Sequence, residues 1–179
     1  MNVLFLDYDG VVNTPIWGEG GVEDPEARAR FYFPDDGKVN NFQAVQWVAN
    51  FCLKYNYKIV VSSTWREEKG YAEYLYAGGL PRSVEVLGRT PLFHECQRTD
   101  SRRGAQIQQY LRDHKGEVDR FIIVDDDVFD FQEMGFEPFY VNCDPLLGFT
   151  INQFYQTERI HQTVHPEHYH EFMSERGMC

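Results

Sequence analysis

Three short apolar runs punctuate the chain, and each ends in polar residues. The first, Val3–Leu6, stops at Asp7 and Asp9; the second, Lys58–Val61, at Ser62, Ser63 and Thr64; the third, Phe121–Val124, at Asp125, Asp126 and Asp127. Short runs without apolar–polar alternation read as strands buried on both faces. A weaker strand falls around Val84–Leu87, and Phe139–Val141 supplies another. Helical periodicity lies between them. From Asn40 to Lys54, apolar residues Phe42, Val45, Val48, Ala49 and Cys52 recur at spacings of three and four. From Gly104 to His114, a second helix turns Ile107, Tyr110 and Leu111 inward. Buried strands alternating with helices predict an α/β fold with a parallel sheet between helical layers.

Other stretches carry weaker patterns. Residues 14–38 are rich in Gly and Pro and read as a long surface loop. Residues 66–100 are mixed, and 151–179 read as a helical tail docked through Phe154, Ile160, Tyr169 and Phe172. The 179 residues are expected to form one domain, with 14–38 and 66–100 as insertions facing the substrate.

Composition narrows the function classes. Apolar residues make up 42% and aromatics 16%, enough for a packed core without disulfides. The net charge of −11 argues against a long electrostatic track along a nucleic-acid backbone, though not against a pocket for one phosphate. No apolar run approaches the roughly 20 residues of a membrane helix. The opening MNVLFLDYDGVV lacks the basic region and cleavage pattern of a signal peptide. Four scattered cysteines without C-x-x-C suit a reduced, cytoplasmic setting.

The chemistry concentrates at the strand ends. In open parallel sheets the ligand sits beyond the carboxyl ends of the strands, at the switch point. Asp7, Asp9, Ser62–Thr64 and Asp125–Asp127 are therefore expected to converge. Several carboxylates in one pocket repel each other unless a cation or a proton intervenes. An all-oxygen, carboxylate-rich site without His or Cys favours Mg²⁺. An Asp can also act as a nucleophile towards phosphorus, with a second carboxylate moving the proton. Hydroxyls at Ser62–Thr64 and a cation at Arg102 or Arg103, where a helix starts, would hold the other phosphoryl oxygens.

With these residues in order, the sequence resembles the haloacid dehalogenase (HAD) superfamily. FLDYDGVV is similar to its DxDG motif, IVVSS to its second motif, SRRGAQI to its third and IIVDDDVFD to its fourth. The resemblance implies a Rossmannoid three-layer sandwich, a mostly parallel five-stranded sheet in order 5-4-1-2-3, a minimal cap and a Mg²⁺-dependent phosphohydrolase. It implies Asp7 as nucleophile and metal ligand. It implies Asp9 as general acid/base, with its main-chain carbonyl on the metal. Ser63 or Ser62 would bind the phosphoryl group, Ser63 being preferred by strand length, with Thr64 beside them. Arg103, or else Arg102, would be the third-motif cation. Asp126 would be the main fourth-motif ligand, with Asp125 and Asp130 as alternates.

A narrower resemblance is to small HAD domains associated with RNA repair. It rests on SSTWRE, RGAQIQQYL, FIIVDDD and NCDPLLGFT. Ser63-Thr64-Trp65-Arg66 also resembles the Ser-Gly-Arg of polynucleotide 3′-phosphatases, which would put Arg66 on substrate phosphate or else leave it a surface residue at a helix start. The substrate implied is a phosphorylated small molecule, such as a nucleotide, or a nucleic-acid end. Neither a membrane nor an extended nucleic-acid groove is expected.

Competing readings remain. A receiver-like phospho-accepting module shares acids and a hydroxyl at its strand ends, but lacks a second Asp two residues after the acceptor; Asp9 favours an enzyme. A non-catalytic binding domain would be signalled by loss of Asp7 or Asp9, and both are present. Trp17, Phe31, Tyr32 and Phe33 either plug the first loop onto the core or stack on a base. Arg28, Arg30, Arg82, Arg89 and Arg98 either border the site or are ordinary surface residues. His161 and His165 sit one helical turn apart, and a solvated face is preferred over a metal site there.

Overall fold

The structure is a computed structural model, and it describes residues 1–14, 41–67, 69–95 and 102–178. The strands are β1 (Asn2–Leu6), β2 (Tyr57–Val61), β3 (Val86–Arg89), β4 (Arg120–Asp125) and β5 (Tyr140–Asn142). The helices are α1 (Phe42–Tyr55), α2 (Tyr71–Ala77), α3 (Arg103–Asp113), α4 (Ile151–Thr163) and α5 (Pro166–Glu175). The sheet runs β3-β2-β1-β4-β5, and every pairing is parallel. The chain therefore winds outward twice from β1, and the switch point lies between β1 and β4.

Side chains alternate across the strands and divide the core in two. Leu4, Leu6, Ile59, Val61, Ile122 and Val124 face one layer with the buried sides of α1, α2 and α4. Val3, Phe5, Val60, Phe121 and Ile123 face the other, built on α3 and α5. This is the three-layer sandwich, with an all-parallel rather than mostly parallel sheet.

The helix ends follow local chemistry. Asn41 caps α1 by accepting from the Ala44 N–H, and Asn56 closes it in the left-handed region. Thr150 and Gln153 form a capping box at α4.

Three sequence expectations shift. The weak strand starts two residues later, at Val86, because Pro81–Val84 closes a turn first (Val84 N–H to Pro81 O, 2.9 Å). The segment after β2 is the crossover to β3: a 3₁₀ turn over Thr64–Glu67, then α2. Its strand belongs to the central sheet. His161 stacks on Tyr55 with ring centres 4.3 Å apart, while His165 directly precedes the next helix. The two do not form a pair on one helix face.

The tail docks through Phe154, Tyr169 and Phe172, all buried. No helix among the described residues is long and apolar enough to cross a membrane. Trp17, Phe31, Tyr32, Phe33, Arg28, Arg30 and Arg98 lie outside the described residues, as does most of the first loop.

Candidate active site

The strands end level with one another, and this places the acids. Asp7 N–H donates to Val124 O (3.0 Å), Ser62 N–H to Leu6 O (3.0 Å), and Cys143 N–H to Asp125 O (2.9 Å). Asp7 thus sits between Ser62 and Asp125 at the switch point. Carboxylate oxygens of Asp7, Asp125 and Asp126 all lie within 4.8 Å of one another. Arg103, the first residue of α3, reaches in from the side. Its Nη1 is 3.0 Å from Asp7 Oδ1 and 2.7 Å from Asp125 Oδ2. The Phe129 ring covers the guanidinium, with Cζ 4.8 Å from the ring centre.

The electrostatics are frustrated. Burial, reinforced by Asp7, pushes the Asp125 carboxyl well above its ordinary range, and Arg103 opposes the rise. Burial and then Asp7 push Asp126 up to about 6. Burial works against the charge of Arg103, but Asp7 and Asp125 outweigh it and hold the guanidinium above its ordinary value. Among the described residues the three carboxylates share one close cation, Arg103, so the cluster gains from a further positive charge. A small divalent ion with oxygen ligands fits that donor set.

Gly10 makes the approach of Asp126 possible. Its φ is +72°, and a Cβ there would collide with the Asp126 carboxylate. Gly10→Ala is expected to cost stability by about 1–3 kcal/mol and to displace Asp126. Gly116→Ala is the control, since Gly116 has φ +78° but open space around it. Urea unfolding with and without Mg²⁺ checks this. Equal stability losses and equal Mg²⁺ responses in the two variants would contradict it.

The other expected residues separate into roles. Asp9 stands beside the triad rather than in it: its Oδ1 accepts from Asn13 Nδ2 and its Oδ2 from Trp65 Nε1, each at 3.1 Å. Ser62 and Ser63 are both fully buried at the end of β2. Trp65 N–H lies 3.4 Å from Ser63 Oγ, whereas Ser62 Oγ has no hydrogen-bond partner among the described residues. Thr64 is exposed on the 3₁₀ turn.

Arg66 and the two alternates, Arg102 and Asp130, have partners outside the acid cluster. Arg66 is neither a surface residue nor in the acid cluster. It is buried, with Nη1 donating to Ser62 O (2.8 Å) and Ser63 O (2.5 Å) and Nη2 to Gln106 Oε1 (2.6 Å). Burial first, then Arg103, lowers its pKa to about 10. Arg102 directly precedes α3 and makes no side-chain cap; its exposed side chain lies 3.9 Å from Glu133. Asp130 lies outside the acid triad. Its oxygens accept from the N–H groups of Gly104 (2.7 Å) and Ala105 (3.1 Å), anchoring the start of α3 and so the backbone that carries Arg103. Arg82 and Arg89 make surface ion pairs, with Glu73 (2.6 Å) and Glu95 (2.8 Å).

Sequence reasoning missed Asn13, Trp65, Tyr74 and Gln106. Only Trp65 left a signal, as an indole directly after the hydroxyl cluster. The Gly148-Phe149-Thr150 turn also reaches this end of the sheet, where Phe149 N–H donates to Val11 O (2.8 Å).

Comparison with known families places the chain. The family model described as the HAD domain in Swiss Army Knife RNA repair proteins matches residues 3–154. The chain belongs to that family. The HAD match takes in β1 from Val3, the other four strands and every acid of the cluster, and makes the protein a HAD-type hydrolase. No curated protein and no solved structure gave a significant match.

Proposed function

We propose that this HAD domain is a Mg²⁺-dependent phosphomonoesterase that removes a terminal phosphate from a nucleotide or a nucleic-acid end through an aspartyl-phosphate. The carrying observation is the position of Asp7: in the acid triad, 3.0 Å from Arg103, with a second carboxylate two residues on. Asp7 attacks phosphorus, and the bond from phosphorus to the leaving oxygen breaks. Asp9 gives that oxygen its proton. Water then attacks phosphorus, Asp9 takes its proton, and the Asp7–phosphorus bond breaks to release inorganic phosphate.

Asp7, Asp126 and Asp125, with the main-chain carbonyl of Asp9, would hold Mg²⁺, which neutralises charge on the phosphoryl oxygens when bound. Arg103 holds Asp7 in place and faces the same oxygens. Ser62 takes the hydroxyl role in preference to Ser63, because its Oγ is buried without a partner among the described residues and its backbone lies at the strand end next to that of Asp7. Buried polar atoms are rarely left unpaired without a reason.

The family's association with RNA repair proteins supports a nucleic-acid end. The net charge of −11 supports limited contact with the chain behind it, or a mononucleotide. Phosphate release is measured from mononucleotides, 3′-phosphate ends and 5′-phosphate ends, with Mg²⁺ and with chelator. Mg²⁺-dependent release from one class or more is expected. A protein that becomes stably phosphorylated without turnover would instead be a phospho-accepting module. No release from any class overturns the proposal.

A further inference from the structure

Asp9 is embedded in a network that reaches well beyond the acid cluster. Tyr74 Oη donates to Asn13 Oδ1 (2.6 Å), which fixes the amide so that its NH₂ faces Asp9. Asn13 Nδ2 then donates to Asp9 Oδ1, while Trp65 Nε1 donates to Asp9 Oδ2, each at 3.1 Å. Each carboxylate oxygen therefore has a donor of fixed direction. The donors are themselves held. The Trp65 ring stacks on Tyr74 with centroids 4.8 Å apart and planes at 24°; Tyr74 stacks on Tyr8 at 5.6 Å and 22°. Tyr8 Oη donates to Tyr71 O (2.7 Å), tying the first-motif turn to α2. Trp65, Tyr74 and Asn13 are all buried.

The geometry points to Trp65 and Asn13 as positioning residues for the acid/base carboxylate, with Tyr74 acting behind Asn13. This rests on the role given to Asp9 under the proposed function. A general acid works only from within hydrogen-bond reach of the leaving oxygen, so its rate contribution depends on where its carboxyl is held. The crossover after β2 thus has a task in the chemistry: its 3₁₀ turn and α2 supply the indole and the phenol that orient Asp9. Trp65 and Tyr74 act on the chemistry through Asp9: the indole by its bond to Oδ2, the phenol by its bond to Asn13.

The test separates orientation of the acid from general damage. p-Nitrophenyl phosphate releases a stable phenolate and needs little proton donation. An alkyl phosphate such as β-glycerol phosphate releases an alkoxide and needs it fully. The value of kcat/KM reports phosphoryl transfer to Asp7 for both. Trp65→Phe removes the indole N–H together with one ring of a buried side chain, so its orienting effect is read from the ratio of the two substrates; Tyr74→Phe removes only the hydroxyl. For Trp65→Phe the loss on the alkyl phosphate is expected to be roughly ten- to a hundredfold, and about tenfold or more beyond the loss on the aryl phosphate. Tyr74→Phe shifts the ratio the same way by a smaller factor, and it decides the matter should Trp65→Phe not fold. Asp9→Asn sets the ceiling of the effect. Equal losses on both substrates in the Trp65 and Tyr74 variants, with Asp9→Asn still discriminating, overturn the positioning role and leave Asp9 its own. An Asp9→Asn variant that does not discriminate overturns both.

Discussion

Asp7→Asn should lose turnover by three orders of magnitude or more while the protein stays folded. The amide has nearly the shape of the carboxylate but is no nucleophile towards phosphorus. The fold has little reason to fail. Asp7 is one of three carboxylates competing for Arg103, and the guanidinium keeps Asp125 Oδ2 at 2.7 Å when Asp7 is neutral. Two effects on stability oppose each other: the variant loses one buried ion pair and also one repulsion within the triad. The measurements are phosphate release and a thermal melt. Acid quenching of the wild type with labelled substrate should trap an acyl-phosphate that hydroxylamine removes, and Asp7→Asn should trap none. A variant that turns over at the wild-type rate would remove Asp7 from the chemistry. One that traps label but fails to release it would place the defect in hydrolysis of the intermediate.

Much of this site was legible in the sequence, because strands one and four end in acids and a parallel sheet brings strand ends to one edge. That argument needs only apolar runs and their polar stops, and it placed Asp7, Asp125 and Asp126 together. It could not choose between Arg102 and Arg103. One residue of helix is a rotation of about 100°, and only the packed α3 shows which of the two turns inward; here Arg103 enters the cluster and Arg102 meets Glu133. Nor could it separate Asp130 from the metal-type acids. Spacing alone does not reveal that the Asp130 carboxylate turns back onto the N–H groups of Gly104 and Ala105. Arg66, left open between substrate phosphate and the surface, could not be placed for a related reason. An arginine at a helix start usually reaches solvent, yet this one folds under the turn to two serine carbonyls. The edge strand β3 was weakly marked because it is half-buried along its whole length and carries a glycine.

Asp126→Asn should raise the melting temperature of the metal-free protein at pH 7.5 by a few degrees, and weaken its response to Mg²⁺. In the folded state the Asp126 carboxyl is pushed up to about 6, from an ordinary value of 3.8, by burial and by Asp7. A raised carboxyl pKa means that the folded protein holds this proton more tightly than the unfolded chain does. The site costs nothing below about pH 3.8, where both states are protonated. The penalty grows as pH rises from there to about 6, and stays constant above it. Asparagine carries no such penalty, so the variant's advantage in chelator should be full at pH 7.5 and fade as the pH falls towards 4. Mg²⁺ reverses the order. A ligand that binds only the folded state at a hundred times its Kd adds about 2.7 kcal/mol, and the wild type should gain more of this than a variant missing one acid. The two melting curves should therefore cross as Mg²⁺ is added. Equal melting temperatures in chelator at pH 7.5 would show that Asp126 is not repelled, and an unchanged Mg²⁺ titration would move the metal onto Asp7 and Asp125. The crossing links the two halves of the argument, because the same repulsion that makes the empty cluster unstable is what a divalent cation would relieve.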